Sequence, residues 1–342
     1  RECVEAGRHY GCSVAVDLLG LPDPVAFAAS ASELGVAWLD VHCAIDQQMS
    51  GADPLALIKA VRAVTDLTLA VAGGITSETA APAVEAGADV VIVGGAITKA
   101  EDPAAATADI RKASDTGRPV ESKLFKRATA ESIREVLQTV RTSDISNGAH
   151  SQPCLDGVRQ LIPGTFACGP AVTVWAPPGD FAKPVQAIDV AKPGEVLVIT
   201  TFGLPPAIWG ELATESAGNK GVAGLVVHGA VRDTAVIRER GFPVWSTHVC
   251  SHCGEPKGKG EINVTIEIAG QRIAPGDWIV ADDDGVMVLP AERAVEMANR
   301  AADVMEAENR IRAEIRDNNS TLAKVVNLQR WEQEAGGGPR VG

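Results

Sequence analysis

The sequence predicts an α/β protein of two domains: a partial (β/α) barrel of about four βα units, then a mixed α/β domain with C-terminal helices. Apolar runs alternate with helical segments over residues 12–113, whereas short strands and turns dominate residues 145–290. A long charged helix is predicted from Ala291 to Ile315, with a shorter one after Ser320. The predicted boundaries are a barrel part at 1–113, a linker at 114–128, a second domain at 129–332 and a disordered tail at 333–342.

Composition places the chain among globular proteins of a reducing compartment, and we expect it to be cytoplasmic. Its 342 residues are 46% hydrophobic and carry a net charge of −13, which argues against a nucleic-acid or acidic-membrane surface. The seven cysteines form no dense framework, and no apolar run approaches the ~20 residues of a membrane span. We see no signal peptide, and we expect the start at Arg1, inside a predicted helix, to be a fragment boundary.

The first half alternates four predicted strands with four predicted helices. Each strand is a continuous apolar run, as in a parallel sheet that is covered on both faces. Asp or Thr at each helix start supplies an N-cap, and the Pro that follows Asp is well tolerated at the first helical position. A closed parallel barrel needs eight such units, so four make half of one. The predicted strands are 12–19, 36–42, 67–72 and 89–93, and the predicted helices are 24–34, 54–64, 76–86 and one from 103.

Candidate site residues follow these strands at their carboxyl ends, where parallel barrels build active sites. Asp17 follows the first strand, and His42 and Asp46 follow the second. Two glycine pairs on adjacent strands favour phosphate binding by backbone amides, with tight βα turns as the alternative. These glycines are Gly73, Gly74, Gly94 and Gly95.

The segments V-A-V-D-L-L, D-V-H-C-A-I-D-Q-Q, A-V-A-G-G-I and V-I-V-G-G-A-I-T resemble the second half of 3-hexulose-6-phosphate synthase, of the orotidine-phosphate-decarboxylase superfamily. The resemblance covers about residues 5–113 and implies metal-dependent condensation of formaldehyde with ribulose 5-phosphate. It implies that the four glycines hold the sugar phosphate and that His42 faces the substrate. The early strands that carry that family's acidic residues and lysine are absent here. We therefore expect this chain to lack synthase activity, with apolar strand edges exposed or covered by another chain.

The second half contains a different constellation between Trp209 and Asp233. A helix is predicted to begin after Gly210 and to return into the buried strand 222–227, which leads to Arg232 and Asp233. Free helix amides and an arginine suit a small anion, and a carboxylate suits a hard divalent cation. The alternative is a surface ion pair that contributes little. Spacing alone does not prove that the helix start and the strand end converge.

The segments W-G-E-L-A-T, G-V-A-G-L-V-V-H-G-A-V-R-D, G-E-P-K-G-K-G-E-I-N-V and P-G-D-W-I-V-A-D-D-D-G-V resemble the RraA-like family over about residues 130–332. The resemblance implies a swivelling β/β/α-type core. That family includes 4-hydroxy-4-methyl-2-oxoglutarate aldolases, which also decarboxylate oxaloacetate, and regulators that bind ribonuclease E. Sites between subunits are common in it, so we expect a homo-oligomer, a trimer or a hexamer.

The same resemblance implies the role of each site residue. Arg232 contacts the keto acid, Asp233 holds Mg²⁺ or Mn²⁺ partly through water, and Glu211 is an auxiliary carboxylate. The backbone amides that grip the substrate carboxylate belong to Gly210, Glu211, Leu212 and Ala213.

The leading hypothesis is a metal-dependent carbon–carbon lyase that acts on short 2-keto acids through a pyruvate enolate. One alternative is 3-hexulose-6-phosphate synthase activity in a full-length gene that supplies the missing half. The other is a non-enzymatic regulator that binds ribonuclease E.

For four further features we prefer a purely structural interpretation. His248, Cys250, His252 and Cys253 have zinc-ligand types, but no second matching pair exists, so an ordinary loop is favoured. The run Asp282–Gly285 is expected to be a polar hairpin turn rather than a cation loop. His228 is expected to be a buried, hydrogen-bonded imidazole, and the helix 291–315 a solvated face with an oligomer contact.

Overall fold

The chain divides into two compact units in a computed structural model that describes residues 1–49, 53–122, 124, 126–328 and 330. The first unit comprises residues 1–127 and the chain from Met305, and the second comprises Ala128–Val304. The tail predicted to be disordered, 333–342, lies outside the described residues.

The first unit contains a four-stranded parallel sheet with the order β1-β2-β3-β4. This confirms the predicted half barrel of four βα units. The strands are β1 Ala15–Asp17, β2 Trp38–His42, β3 Thr68–Ala72 and β4 Val90–Val91. The helices before the second unit are α1 Glu2–Tyr10, α2 Pro24–Leu34, α3 Ile45–Met49, α4 Pro54–Arg62, α5 Ala80–Glu85, α6 Gly95–Thr98 and α7 Pro103–Thr116.

The Asp-Pro helix starts form as predicted. The carboxylates of Asp23, Asp53 and Asp102 each accept a backbone N–H from the first turn that follows. Helix α7 continues to Thr116, so the segment predicted as a linker begins inside its last turn. Leu39 and Leu69, on neighbouring strands, are fully buried in the core of this unit.

The second unit contains an eight-stranded mixed sheet with the order β14-β13-β6-β7-β8-β9-β5, with β10 beside β6. Strands β6 to β9 are mutually parallel, and the others pair antiparallel. The strands of this sheet are β5 Arg159–Gln160, β6 Ala167–Trp175, β7 Val196–Thr200, β8 Gly224–Val231, β9 Val244–Val249, β10 Glu261–Ile262, β13 Trp278–Ala281 and β14 Val286–Leu289. A separate antiparallel pair is formed by β11 Ile266–Ile268 and β12 Gln271–Ile273. The remaining helices of the chain are α8 Ile133–Leu137, α9 Thr142–Gly148, α10 Ala182–Val190, α11 Glu211–Asn219, α12 Thr234–Arg240, α13 Ala294–Asp317, which includes the unit boundary at Met305, and α14 Leu322–Val325 in the first unit.

The sequence also predicts a helix over residues 129–140, but in the structure only α8, Ile133–Leu137, is helical in this segment. The hydroxyl of Ser132 accepts the backbone N–H of Thr129, which closes a turn that competes with helix at this end. Short polar side chains of this type favour turns and caps over helix interiors.

The predicted hairpin turn at Asp282–Gly285 is confirmed. It joins β13 to β14, and the backbone N–H of Asp282 donates to the Gly285 carbonyl at 3.0 Å. Asp282 is nevertheless buried, because its carboxylate accepts both the N–H and the hydroxyl of Thr142. The turn therefore also anchors the start of α9.

Helices that could cross a bilayer are absent from the described part of the chain, where none combines the necessary length with sufficient apolar character.

Strand β7 forms the centre of the second unit, because apolar side chains cover both of its faces. We predict that Leu197→Ala, at a position with 0% exposure, lowers the free energy of unfolding by about 2–5 kcal/mol through lost contacts and a cavity. Val190→Ala, at a position that is 51% exposed, is the matched control and should change it little. Chemical denaturation followed by fluorescence measures both, and equal losses would contradict the central role of β7.

Candidate functional site

The four parallel strands of the second unit end at one edge of the sheet. Ligands in open α/β sheets bind outside the carboxyl ends of the strands, where loops and helix starts meet. The loops that leave this edge follow Trp175, Thr200, Val231 and Val249. The candidate site is built from two of these loops.

The segment 207–209 brings the start of α11 to the end of β8. It runs parallel to the last residues of β8, and the backbone N–H of Ile208 donates to the Ala230 carbonyl at 3.1 Å. The N–H of Arg232 in turn donates to the Trp209 carbonyl at 2.9 Å. These two bonds create the convergence that sequence spacing alone could not prove.

Gly210 lies directly against Asp233. It precedes the first residue of α11 in an extended conformation, and a Cβ at this position would collide with Oδ2 of Asp233. The backbone N–H of Glu211 donates to the same oxygen at 3.1 Å. A side chain at this position would displace the Asp233 carboxylate, so glycine serves close approach here rather than a left-handed backbone.

Arg232 and Asp233 form an ion pair that solvent can reach. Arg232 Nε lies 3.5 Å from Asp233 Oδ2, and the side chains are 41% and 37% exposed. Asp233 precedes α12 with a φ of 55°, and its carboxylate bonds α11 rather than capping α12. The pair is thus more than the surface ion pair of the alternative interpretation, because it also fixes a helix start.

Trp209 and Thr214, for which the sequence predicted no role, hold the helix start in place. Trp209 is buried, and its Nε1–H donates to Thr214 Oγ1 at 2.8 Å. The Thr214 hydroxyl donates to the Gly210 carbonyl at 2.9 Å. A tryptophan directly before the glycine, with a threonine one helical turn later, is the sequence feature that could have identified this support.

The predicted carboxylate-binding amides lie in the first turn of α11. The N–H groups of a first turn have no acceptor inside their own helix. The N–H of Glu211 already donates to Asp233, which leaves the amides of Leu212 and Ala213 for a ligand. Leu212 is largely exposed at this turn.

Asp233 fits a magnesium-type ion only as a single protein ligand. Within the described ranges, no three His, Cys, Asp or Glu side chains are placed to hold a metal ion together. Mg²⁺ is commonly bound by one or two carboxylates and keeps several waters. The carboxylate of Asp233 is accessible, and Arg232 stands beside it to receive a second anionic oxygen.

The loop at 248–253, which has zinc-ligand residue types but was predicted to be an ordinary loop, makes a contact to its own backbone. The Cys250 thiol donates to the His252 carbonyl, a backbone group, at 3.5 Å. His228 is hydrogen-bonded, as predicted, with Nδ1 3.1 Å from Thr200 Oγ1, but it is half-buried rather than buried. Burial lowers the pKa of His228, and the nearby His248 lowers it further.

In the first unit, the structure brings together only some of the predicted residues. His42 Nδ1 lies 3.1 Å from Asp17 Oδ2 at the carboxyl ends of β1 and β2. Gly73 and Gly74 have positive φ angles of 92° and 71° and pack against the buried side chain of Gln48. This arrangement accounts for the first glycine pair as a tight turn.

The second glycine pair has different surroundings. Gly94 precedes the short helix α6, and a Cβ built at Gly94 would meet no atom within 4 Å. Gly95 is the first residue of that helix, and a Cβ there would meet only the Lys99 side chain. Open space is therefore available beside Gly94, whereas the turn at Gly73 is filled.

Family models match both units of the chain. The RraA-like family model, described as Aldolase/RraA, matches residues 139–288. The model of the orotidine 5'-phosphate decarboxylase / HUMPS family matches residues 1–110.

Individual relatives agree with this division. A Halalkalibacterium halodurans protein named "Putative 4-hydroxy-4-methyl-2-oxoglutarate aldolase" is 34% identical over 167 residues, which are 48% of this chain and 80% of that protein. The 3-hexulose-6-phosphate synthase of Methylomonas aminofaciens is 36% identical over 108 residues, 31% of this chain and 52% of the synthase. The chain therefore spans about half the length of the synthase.

A solved structure also matches. A crystal structure of an uncharacterized protein from Pseudomonas syringae pv. tomato aligns with a TM-score of 0.52 and 28% identity, over 59% of this chain and 99% of that one. Because the aldolase-named relative is matched over most of its own length, the chain belongs to the RraA-like family, and its N-terminal part matches the orotidine 5'-phosphate decarboxylase / HUMPS family.

Proposed function

We propose that the second unit is a lyase that cleaves the carbon–carbon bond beside a short 2-keto acid, with Mg²⁺ or Mn²⁺ as cofactor. The single observation that carries the proposal is the contact of Glu211 N–H and Arg232 with one carboxylate, that of Asp233, at a helix start. The relative named as a putative 4-hydroxy-4-methyl-2-oxoglutarate aldolase supports this reaction class and suggests that compound as a substrate. We propose oxaloacetate as a second substrate.

Each residue of the site receives a distinct role. The first-turn amides of Leu212 and Ala213 bind the substrate carboxylate, since helix N-termini attract anions. Arg232 donates to the keto acid and adds positive charge where the enolate of pyruvate forms. Asp233 would hold the divalent cation, which acts when bound as a Lewis acid toward that charge.

Cleavage of the carbon–carbon bond needs no external oxidant or reductant. In the retro-aldol cleavage of 4-hydroxy-4-methyl-2-oxoglutarate the C3–C4 bond breaks, its electrons stay on the pyruvate fragment as an enolate, and the C4 hydroxyl loses its proton as C4 becomes a second carbonyl. In oxaloacetate the same C3–C4 bond breaks and C4 leaves as carbon dioxide. The enolate then takes a proton at C3 and leaves as pyruvate. Glu211 is proposed as an auxiliary carboxylate that assists these proton transfers.

Removing the guanidinium should remove most of the activity. We predict that Arg232→Ala lowers kcat/KM for pyruvate release from oxaloacetate with added Mg²⁺ by about 10²–10³-fold, because one preorganised donor to the developing charge is lost. Arg240→Ala is the control, since Arg240 has the same 41% exposure but pairs with Glu215 outside the site. Pyruvate is measured by coupled reduction with lactate dehydrogenase.

Two outcomes would contradict the proposed lyase. One is wild-type protein without pyruvate release from either substrate, which favours the ribonuclease-binding alternative. The other is full activity of Arg232→Ala.

The carboxylate of Asp233 should set the metal requirement. Asp233→Asn keeps an oxygen that can accept the Glu211 N–H, but it removes the charge that attracts the cation. We predict that the Mg²⁺ concentration for half-maximal activity rises at least about tenfold in this variant. Chelation should abolish wild-type activity, and Mg²⁺ or Mn²⁺ should restore it; an unchanged Mg²⁺ midpoint in the variant would refute the assignment.

We propose a second, separate activity class for the first unit, the binding of a sugar phosphate. The match of residues 1–110 to the orotidine 5'-phosphate decarboxylase / HUMPS family supports it, together with the open space at Gly94 and the Asp17–His42 pair. We propose that the phosphate lies against the Gly94–Gly95 backbone and that His42 faces the sugar. The turn at Gly73–Gly74 would border the same carboxyl edge of the sheet.

Gly94→Ala separates phosphate binding from folding. A Cβ at Gly94 would meet no atom within 4 Å, so the packing should be unchanged, but the new methyl group would occupy the space proposed for the phosphate. We predict that the Kd for ribulose 5-phosphate, measured by calorimetry, rises about tenfold. Gly218→Ala, at another open position, is the control, and equal affinities of the two variants would refute the site.

A further inference from the structure

Residues 250–260, called the strap below, cross the carboxyl edge of the parallel strands from β9 to β6. The strap leaves β9 at Val249 and joins β10, which pairs with the end of β6. On the way it contacts the loops that follow β8, β7 and β6. It contains most of the segment G-E-P-K-G-K-G-E, to which the proposed chemistry gives no role.

The first part of the strap is bonded to both segments that carry the candidate site. The backbone N–H of Cys250 donates to the carbonyl of Val231, the residue before Arg232, at 3.1 Å. The N–H of Ala207 donates to the His252 carbonyl at 3.1 Å, and the N–H of Gly254 donates to the Ala207 carbonyl at 3.2 Å. Ala207 lies three residues before Gly210 and is fully buried.

Glycines allow the strap to lie this close to the edge. A Cβ at Gly254 would collide with the backbone of Gly179, and a Cβ at Gly260 would collide with the Trp175 carbonyl. Both contacts are with the end of β6 or the loop that follows it. The glycine spacing of the strap therefore reflects backbone-on-backbone packing.

Asp180 fastens the other end of the strap. It is 2% exposed, and its Oδ1 accepts the N–H of Ala182 at 3.1 Å and of Lys257 at 3.0 Å, while Oδ2 accepts the N–H of Lys259 at 2.8 Å. Burial raises the pKa of Asp180, but these backbone donors outweigh that effect and the net pKa is lowered. The charged carboxylate is thus the form that the strap binds.

We infer that Asp180 is a positioning residue that closes the strap and, through Val231 and Ala207, fixes Arg232 and the start of α11. Only the catalytic consequence rests on the proposed lyase; the closure itself does not. Loss of the carboxylate removes the acceptor that holds the backbone N–H groups of Lys257 and Lys259, so the strap loses its attachment and opens. An open strap no longer restrains the two backbone segments on which the site is built.

Limited trypsin digestion measures closure directly, because trypsin cleaves after lysine and the backbone N–H groups of Lys257 and Lys259 are the ones that Asp180 binds. In Asp180→Asn one side-chain oxygen remains and can accept the N–H groups of Ala182 and Lys257. The other oxygen is replaced by an N–H₂ donor, which cannot accept the N–H of Lys259. We expect Asp180→Asn to raise cleavage after Lys259 at least about tenfold, and Asp180→Ala to raise it after both lysines. Mass spectrometry of the released peptides measures each site.

The matched control is Asp277→Asn. Asp277 is also a buried carboxylate that accepts two backbone N–H groups, from Ala274 and Ala291, but it lies before β13 and not on the strap. It should lose comparable stability without selective cleavage at Lys257 or Lys259. Equal cleavage in the Asp180 and Asp277 variants, or none in either, would overturn closure by Asp180.

Positioning is read from amide hydrogen exchange of the peptides that cover 207–214 and 228–234. We expect exchange in these two peptides to be faster than in the wild type in Asp180→Asn and faster still in Asp180→Ala. In Asp277→Asn the exchange rate of both peptides should be unchanged. In the pyruvate assay, kcat/KM should fall about tenfold in Asp180→Asn and stay within about twofold in Asp277→Asn. An open strap with unchanged exchange at both peptides would overturn the positioning role, whether or not the wild-type protein is a lyase.

Discussion

The parallel pairing of β6 to β9 is the constraint on which the second unit depends. Parallel neighbours require a crossover after every strand, and here α10, α11 and α12 supply the crossovers. All four carboxyl ends therefore lie at one edge, so the loops that leave them are neighbours in space although far apart in sequence. The close approach of Gly210 to Asp233 and the attachment of the strap to Asp180 both follow from this arrangement.

The site relies on backbone groups more than on side chains. The bond from Glu211 N–H to Asp233 removes one of the unpaired donors of α11 and aligns the next amides beside Arg232. The Asp233 carboxylate therefore has two roles: it stabilises the start of α11, and its exposed oxygen is available to bind a cation. Only Gly210 permits both, since any side chain at that position would displace the Asp233 carboxylate.

The sequence predicts those features that depend on neighbouring residues. Asp-Pro pairs predict the helix starts, apolar runs predict the strands, and Asp-Gly predicts the β13–β14 turn. Features set by distant partners were not predictable. The pairing of 207–209 with β8 and the strap bonds to Asp180 join segments more than twenty residues apart. The glycine pair at Gly73 was predicted as phosphate-binding, but its contact with Gln48 shows a packing reason that spacing could not reveal.

The two units differ in how much of a catalytic site their own strands can form. A parallel barrel encloses its reacting groups with eight strands, and its active site draws residues from several of them. Among the described residues the first unit has four strands, and Val90 and Ile92 at the last of them remain about half exposed. The Asp17–His42 pair is likewise open to solvent, so a carbon–carbon condensation there would need groups from further strands to exclude water. In the second unit, by contrast, residues 207–233 contain the helix start, the guanidinium and the carboxylate in mutual contact. That difference is why the lyase, rather than the synthase, is the function we propose for this chain.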